Sequence, residues 1–222
     1  MSAYPRELPW RGERTLEYPN VVIELASEPE LRESESEPDR FILGKSKSML
    51  LNMMSAVAQI KVSNVVDVGI YKGGSAVFFN ECFRPDKLVA IDLQRAPRAL
   101  MEYAAAQTSD SLEVHDQVNQ ADGARLEEIC DAAFGDEPID LIVDDASHLY
   151  AQSRATFSFL FPRLRENGLY IIEDWGWAHW PGAHWQEERG GMYFAEEAPC
   201  RTFSSRSCSS PRVANRSFRA SR

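Results

Sequence analysis

The sequence predicts an α/β fold in which helices cover both faces of a doubly wound, mainly parallel sheet. Continuous apolar runs of the kind found in buried strands recur along the middle of the chain. Helix-like stretches begin between them, near Gly74, Ala96, Asp122 and Tyr150. This alternation of strand and helix is typical of right-handed βαβ units. The five strands are expected at residues 65–68, 88–91, 112–114, 139–143 and 169–172.

Length and composition narrow the classes of protein that the chain can belong to. Its 222 residues, 44% of them hydrophobic, suit one α/β domain with a sizeable core. A formal net charge of −10 argues against nucleic acid as a partner, because phosphate backbones need a basic surface. The four cysteines lack CxxC spacing, and the sequence has neither a signal-peptide pattern nor an apolar run that could cross a membrane. We therefore expect a cytoplasmic protein with reduced thiols and no membrane partner.

Three regions of the chain differ in composition. Residues 1–40 carry five prolines and an acidic run, so we expect a partly mobile cover there. Residues 41–190 form the predicted α/β domain, which opens with an amphipathic helix within residues 44–60. Residues 191–222 make a serine- and arginine-rich tail without apolar periodicity. No strand pattern follows Glu173, so the C-terminal strands of the sheet are expected to be incomplete.

A glycine-rich turn, residues 67–75, follows the first predicted strand. Its glycines allow a ligand to approach the backbone, and the helix that begins there points free N–H groups at the ligand. Tyr71 stands where a dinucleotide fingerprint requires glycine, so a nucleoside fits better than a pyrophosphate. Asp92 ends the second strand, where it could accept hydrogen bonds from ribose hydroxyls or cap the next segment. Lys45 and Lys47 resemble a phosphate loop only superficially, because the required glycines are missing.

Two acidic clusters follow the last two predicted strands. Asp144 and Asp145 come after the fourth strand, and Glu173 and Asp174 come after the fifth. Because the carboxyl ends of parallel strands lie at one edge of the sheet, these carboxylates should meet. Crowded carboxylates repel each other unless a cation or a proton intervenes, so Mg²⁺ is the expected occupant; the alternative is that the acids cap the following helices. His148 can face the same way as Asp145, either as a general base or as a loop histidine without a catalytic role.

The glycine turn, Asp92, residues 144–148 and the stretch 161–174 together resemble the class I S-adenosylmethionine-dependent methyltransferases, whose fold is Rossmann-like. Within that class they are most similar to the Mg²⁺-dependent sugar O-methyltransferases of the macrocin and mycinamicin type. The resemblance covers about residues 41–185. The glycine turn is common to many methyltransferases, whereas the acidic segments and their spacing are more specific.

This resemblance also implies roles for individual residues. His148 is the implied general base, and the implied Mg²⁺ ligands are Asp145, Glu173 and Asp174. S-adenosylmethionine is the implied cofactor. The implied cofactor-binding residues, with Asp116 or Gln117 nearest the adenine, are Asp67, Gly69, Gly73, Gly74, Ser75, Asp92, Asp116, Gln117 and Asp144.

The implied activity is methyl transfer from S-adenosylmethionine to a hydroxyl of a small glycosylated natural product, in a chain that could form homo-oligomers. In this reaction Mg²⁺ orients the acceptor and the histidine removes its proton. An alternative is a catalytically silent accessory or binding protein, truncated or frameshifted, similar to the methyltransferase-like component of cephalosporin hydroxylase. The intact acids favour the enzyme, and the irregular tail favours the silent protein. A nicotinamide-dependent oxidoreductase ranks last, because Tyr71 crowds the pyrophosphate position.

Overall fold

The computed structural model describes residues 7–107 and 110–175. Its elements alternate between strand and helix from the middle of the chain onward, as the sequence predicts. In chain order they are β1 (Trp10–Arg11), β2 (Thr15–Glu17), β3 (Val22–Leu25), α1 (Glu28–Glu33), β4 (Arg40–Leu43), α2 (Lys47–Val57), β5 (Asn64–Val68), α3 (Gly74–Phe83), β6 (Lys87–Ile91), α4 (Arg98–Ala106), β7 (Leu112–His115), α5 (Gly123–Phe134), β8 (Ile139–Asp144), α6 (Tyr150–Leu160), a 3-10 turn (Phe161–Arg163) and β9 (Leu164–Ile172).

The central sheet has five strands in the order β7-β6-β5-β8-β9, and every neighbouring pair is parallel. This order confirms the predicted doubly wound α/β fold. The chain builds outward from β5 on one side through β6 and β7, and then on the other side through β8 and β9. The strand order therefore reverses at β5, and ligands of such folds bind outside the carboxyl ends of the strands at this point.

Helices cover both faces of the central sheet. On one face, Val66 of β5 belongs to a buried cluster with Leu126 of α5 and Leu160 of α6. On the other face, Val65 belongs to a cluster that includes Phe78 of α3. Successive side chains of a strand point to opposite faces, so adjacent valines of β5 serve two separate cores. This explains why adjacent residues of the central strands β5, β6 and β8 are buried on both faces of the sheet.

The N-terminal segment forms a second sheet that the sequence analysis does not identify. Strands β1 to β4 lie in that order, antiparallel except for the parallel pair β3 and β4. Leu16, Ile23 and Phe41 of this sheet are fully buried in the same cluster as Phe78. In contrast, the short acidic helix α1 buries none of its residues. The small sheet therefore packs against the α/β domain through its apolar side chains and leaves its charged helix in solvent.

Among the residues that the structure describes, no helix combines the length and the apolar character needed to span a lipid bilayer. The predicted serine- and arginine-rich tail, residues 191–222, lies outside the described residues.

Candidate active site

The turn after β5 is held in place by other parts of the backbone. Gly69 has a positive φ of 94°, and a Cβ there would collide with the carbonyl oxygen of Asp145. A Cβ at Gly74 would collide in the same way with the carbonyl oxygen of Ile42 in β4. Gly73, between them, has a φ of 83° and caps α3. Two of the glycines predicted to admit a ligand are therefore also required for close packing of the acid-bearing loop and of β4.

Asp67 is a fully buried carboxyl group at the edge of this turn. Its Oδ2 accepts a hydrogen bond of 2.7 Å from the hydroxyl of Ser75, the second residue of α3. Its Oδ1 is buried and has no hydrogen-bond partner within the described residues. Burial raises the pKa of Asp67 to about 8. A buried oxygen without a donor suits a ligand that brings one, such as an ammonium group.

Asp92 organises the glycine turn through its carboxylate. Oδ2 accepts hydrogen bonds from the backbone N–H groups of Ile70 (2.9 Å) and Tyr71 (2.8 Å). Oδ1 accepts a third bond, of 2.8 Å, from the backbone N–H of Gln94. The residue predicted to meet the ribose thus also fixes the shape of the turn that would meet the cofactor.

The two residues predicted near the adenine lie just after β7. Asp116 is half-buried and accepts a hydrogen bond of 3.1 Å from the backbone N–H of Ala96, which connects this position to the segment after β6. Gln117 is exposed and has a left-handed backbone, with a φ of 57°. Both residues therefore lie at the carboxyl edge of the sheet, on the same side of β5 as Asp92.

Gln120 holds the first acidic cluster in place, and the sequence analysis missed it. Its Nε2 donates to Asp144 Oδ1 (3.1 Å) and to Thr156 Oγ1 of α6 (2.9 Å). Its Oε1 accepts a hydrogen bond of 3.0 Å from the backbone N–H of Ser147. Burial raises the pKa of Asp144 to about 7, and its Oδ2 has no partner within the described part of the chain. One buried amide thus joins the loop after β7 to the loop after β8.

Asp145, His148 and Asp174 come together at the carboxyl ends of β8 and β9. One potential ligand atom from each of the three lies within 4.8 Å of the others. The backbone N–H of Asp145 donates to the carbonyl oxygen of Val68 (2.8 Å), which ties this loop to the end of β5. His148 and Asp174 both have left-handed backbones, with φ of 57° and 49°, an uncommon conformation for residues other than glycine. Two carboxylates and an imidazole at these distances can hold one divalent cation.

Glu173, the third predicted metal ligand, contacts a lysine. Lys45 Nζ lies 2.5 Å from Glu173 Oε2 and 2.8 Å from Asp145 Oδ2, and its side chain is only 3% exposed. Burial raises the pKa of Glu173 despite the attraction of Lys45. Burial alone would lower the pKa of Lys45, but the charges of Asp145 and Glu173 outweigh it and raise that pKa above its ordinary value. Glu173 Oε1 has no partner among the described residues.

Lys45 lies in the loop between β4 and α2, far from the acids in the sequence. From the sequence alone, Lys45 resembles only part of a superficial phosphate loop. The signal that could have identified it is the excess of negative charge expected at this sheet edge, which requires a cation from elsewhere in the chain. All the predicted metal ligands and His148 do lie at one edge of the sheet. Their grouping differs from the prediction in that His148 joins Asp145 and Asp174, while Glu173 and Asp145 share Lys45.

Comparison with known proteins finds a matching family model and several similar methyltransferases. The family described as methyltransferase domain matches residues 66–175. The 8-demethyl-8-alpha-L-rhamnosyl tetracenomycin-C 2'-O-methyltransferase of Streptomyces olivaceus is 34% identical over 131 residues, which are 55% of this chain and 30% of that protein. The demethylmacrocin O-methyltransferase of Streptomyces fradiae is 30% identical over 125 residues, 53% of this chain and 29% of that protein.

A solved structure is also similar to this chain. It is the MycE methyltransferase from the mycinamycin biosynthetic pathway in complex with Mg, SAH and mycinamycin VI, with 25% sequence identity and a TM-score of 0.47. The match covers 62% of this chain and 37% of that one. The matched part of the chain spans about a third of the length of the curated relatives named above, at 30% and 29%. Residues 66–175 therefore match the methyltransferase-domain family, and the chain is similar to O-methyltransferases, as its motifs predict.

Proposed function

We propose that this chain is an S-adenosylmethionine-dependent O-methyltransferase that acts on a hydroxyl group of a small glycosylated molecule. The observation that carries the proposal is the meeting of Asp145, His148 and Asp174 beside the glycine turn, at the point where the strand order reverses. The rhamnosyl group in the name of the similar tetracenomycin methyltransferase supports the class of acceptor.

The cofactor would be held along the carboxyl ends of β5, β6 and β7. The unpartnered Oδ1 of Asp67 suits the ammonium of its methionine end, beside the turn from Gly69 to Ser75. Asp92 would accept hydrogen bonds from the ribose, and Asp116 or Gln117 would lie near the adenine. Asp144, which directly precedes Asp145, is the last of the predicted cofactor-binding residues. When bound, the cofactor supplies an electrophilic methyl group on a sulfonium.

A divalent cation fits the donor set at the ends of β8 and β9. Asp145, Asp174 and Glu173 would hold Mg²⁺, since carboxylate oxygens are its preferred protein ligands and one oxygen of Glu173 is unpartnered. Bound there, Mg²⁺ would make an acceptor hydroxyl more acidic and fix its direction. His148 would take the hydroxyl proton on a ring nitrogen, since its imidazole lies within 4.8 Å of Asp145 and Asp174, two of the three carboxylates that would hold the cation.

The N-terminal segment would act as a cover over the cofactor turn. Ser36 Oγ donates a hydrogen bond of 2.7 Å to the carbonyl oxygen of Lys72, and Lys72 Nζ lies 2.6 Å from Glu35 Oε1. Residues 35 and 36 therefore contact the turn between β5 and α3 directly. We assign cofactor and acceptor binding to residues 41–190 and closure of the cofactor turn to residues 1–40.

The buried free thiols of Cys82 and Cys130 support a reducing, cytoplasmic location.

Calorimetric titration of the purified chain with S-adenosylmethionine, with and without Mg²⁺, tests this function. We expect saturable binding that Asp92→Ala weakens by about tenfold or more, because the variant releases the turn and loses the ribose acceptor. Asp145→Ala should remove only the Mg²⁺-dependent part. Asp86→Ala, an exposed acid before β6, is the matched control and should bind like the wild type.

The two candidate functions give different outcomes in a transfer assay. Methylation of a glycosylated acceptor supports the enzyme, and saturable cofactor binding without transfer to any acceptor in a sugar-bearing panel supports the silent accessory protein. Absence of cofactor binding in a folded sample would overturn the enzyme and leave the accessory role as the remaining candidate.

A further inference from the structure

The ammonium of Lys45 lies where a metal ion would be expected. It bridges one oxygen of Asp145 and one of Glu173, two of the three predicted Mg²⁺ ligands. The side chain is 97% buried, and Asp67, Asp174, His148 and Asp144 are the other titratable groups around these carboxylates. This lysine is thus part of the acid cluster and not a surface ion pair.

The burial of Glu173 explains why a counter-charge is needed here when no metal is bound. Asp67, Asp145, Glu173 and Asp174 bring four carboxyl groups to one edge of the sheet, of which Asp174 is exposed. Within the described residues, Lys45 is the cation that pairs with Asp145 and Glu173. Buried carboxylates without a counter-charge are strongly destabilising. Lys45 therefore has a role in the metal-free protein, which would otherwise keep Asp145 and Glu173 close together without compensation.

The same geometry creates a conflict with metal binding. An oxygen that accepts a short hydrogen bond from an ammonium directs its electron density at that ammonium. Mg²⁺ needs such oxygens at about 2.0–2.1 Å and in near-octahedral order. Glu173 Oε2 and Asp145 Oδ2 cannot serve both cations in their present arrangement. A metal ion on the unpartnered Oε1 of Glu173 would share that carboxyl group with the ammonium, and the two like charges would repel each other. Lys45 is anchored by its own backbone, because its N–H donates to the carbonyl oxygen of Leu43 (2.8 Å) and the next residue, Ser46, caps α2.

We propose that Lys45 is a positioning residue that holds the metal ligands in the metal-free protein and is displaced from them when a divalent cation binds. Lys45 thereby lowers the affinity of the site for the cation and preserves its shape when the cation is absent. The inference rests on the proposed function for the identity of the site. It adds to the acid site a residue from the N-terminal part of the chain, Lys45, which lies in the loop between β4 and α2.

Metal titrations of the full chain test the exchange directly. Lys45→Met removes the charge and keeps most of the stem, and Lys47→Met is the matched control, since Lys47 pairs with the exposed Glu13. We expect Lys45→Met to bind Mn²⁺ more tightly than the wild type by about tenfold to a hundredfold, the range over which neighbouring groups tune metal sites. Its melting temperature without metal should fall and should rise with Mn²⁺ by more than that of the wild type. Equal or weaker Mn²⁺ binding would overturn the proposal.

A measurement on the wild-type protein keeps the test valid if Lys45→Met does not fold. Lysine labelled with ¹⁵N at Nζ gives a protected ammonium signal when it is buried in an ion pair, and Lys45→Arg identifies that signal by its loss. We expect saturating Mg²⁺ to shift or remove it, and an unchanged signal would overturn the proposal. Wild-type protein that binds S-adenosylmethionine but neither Mg²⁺ nor Mn²⁺ would refute the role of Lys45 and leave the cofactor site intact.

Discussion

At the scale of single residues, the site is built from carboxyl groups that the fold removes from water. Asp67 shows the consequence most clearly, because it is fully buried, has one hydroxyl donor and keeps one oxygen unpartnered within the described residues. Such a group is costly as an anion until a ligand supplies a donor or a positive charge. The same property that prepares Asp67 for a cofactor ammonium should therefore make the ligand-free protein sensitive to pH.

We expect the ligand-free protein to lose stability as pH rises toward 8. The folded pKa of Asp67 is raised to about 8 from an ordinary value of about 4, so between these values the folded state binds more protons than the unfolded state. The free energy of unfolding should fall by up to about 1.4 kcal/mol per pH unit from this group. Urea unfolding of Asp67→Asn at pH 5.5, 6.5 and 7.5 should lack this component, while Asp86→Asn should follow the wild type. Parallel profiles for wild type and Asp67→Asn would refute the assignment.

Gly69 is the residue whose side chain, if it had one, would disturb the site most directly. Gly69→Ala adds a methyl group against the carbonyl oxygen of Asp145, whereas Gly135→Ala has a positive φ too but meets no atom within 4 Å. We expect Gly69→Ala to lower the free energy of unfolding by about 1–3 kcal/mol more than Gly135→Ala, the usual cost of overpacking. Urea denaturation measures this difference. Equal losses of unfolding free energy in the two variants would mean that the positive φ, and not the contact with Asp145, accounts for the glycine at position 69.

At the scale of elements, the acid-bearing loop depends on a side chain from another loop. Gln120 spans from the segment after β7 to Asp144, Ser147 and Thr156. Gln120→Met has a similar volume but leaves the Ser147 N–H and one Asp144 oxygen without a partner. We expect a loss of about 1–3 kcal/mol in the free energy of unfolding. Metal affinity should also weaken, because the loop that carries Asp145 loses its support.

The exposed Gln94→Met is the control for this prediction and should change neither quantity. Normal Mn²⁺ binding in a destabilised Gln120→Met would limit Gln120 to a role in stability. Loss of Mn²⁺ affinity without a change in the free energy of unfolding would limit Gln120 to a role in the acid site.

The elements that could be predicted from the sequence are those with strong local patterns. Apolar runs mark β6, β8 and the second half of β9, whereas the first half of β9, residues 164–168, is polar and was not predicted. The starts of α3 and α5 are marked by Gly73 and by the capping residue Asp122. The strands of the small sheet were missed because they are two to four residues long and partly charged. Lys45 was not assigned to the acid site because its partners lie 100 and 128 residues away, a relation that no local pattern contains.

At the scale of the whole molecule, the two sheets share one apolar cluster. Phe41 of β4 is fully buried and meets Tyr103 of α4 edge to face, with ring centroids 5.5 Å apart. Leu16 and Ile23 of the small sheet belong to the same cluster as Phe78 of α3. The loop that carries Lys45 connects β4 to α2, and both elements contribute side chains to this shared core. Stability of the small sheet and integrity of the acid site should therefore be linked.

Phe41→Ala tests that link. Removing a fully buried phenyl group should cost about 3–5 kcal/mol in the free energy of unfolding, because the neighbours cannot fill the cavity. If the two sheets form one cooperative unit, circular dichroism and the fluorescence of Trp10 in β1, measured with the other four tryptophans replaced by phenylalanine, should report the same shifted transition. The exposed Met49→Ala should leave the transition in place. A Phe41→Ala variant whose Trp10 signal changes early, while the helical signal keeps its wild-type midpoint, would show that the small sheet unfolds on its own. In that case Lys45 would be supplied to the acids by a separable cover, and metal affinity in Phe41→Ala should approach that of Lys45→Met.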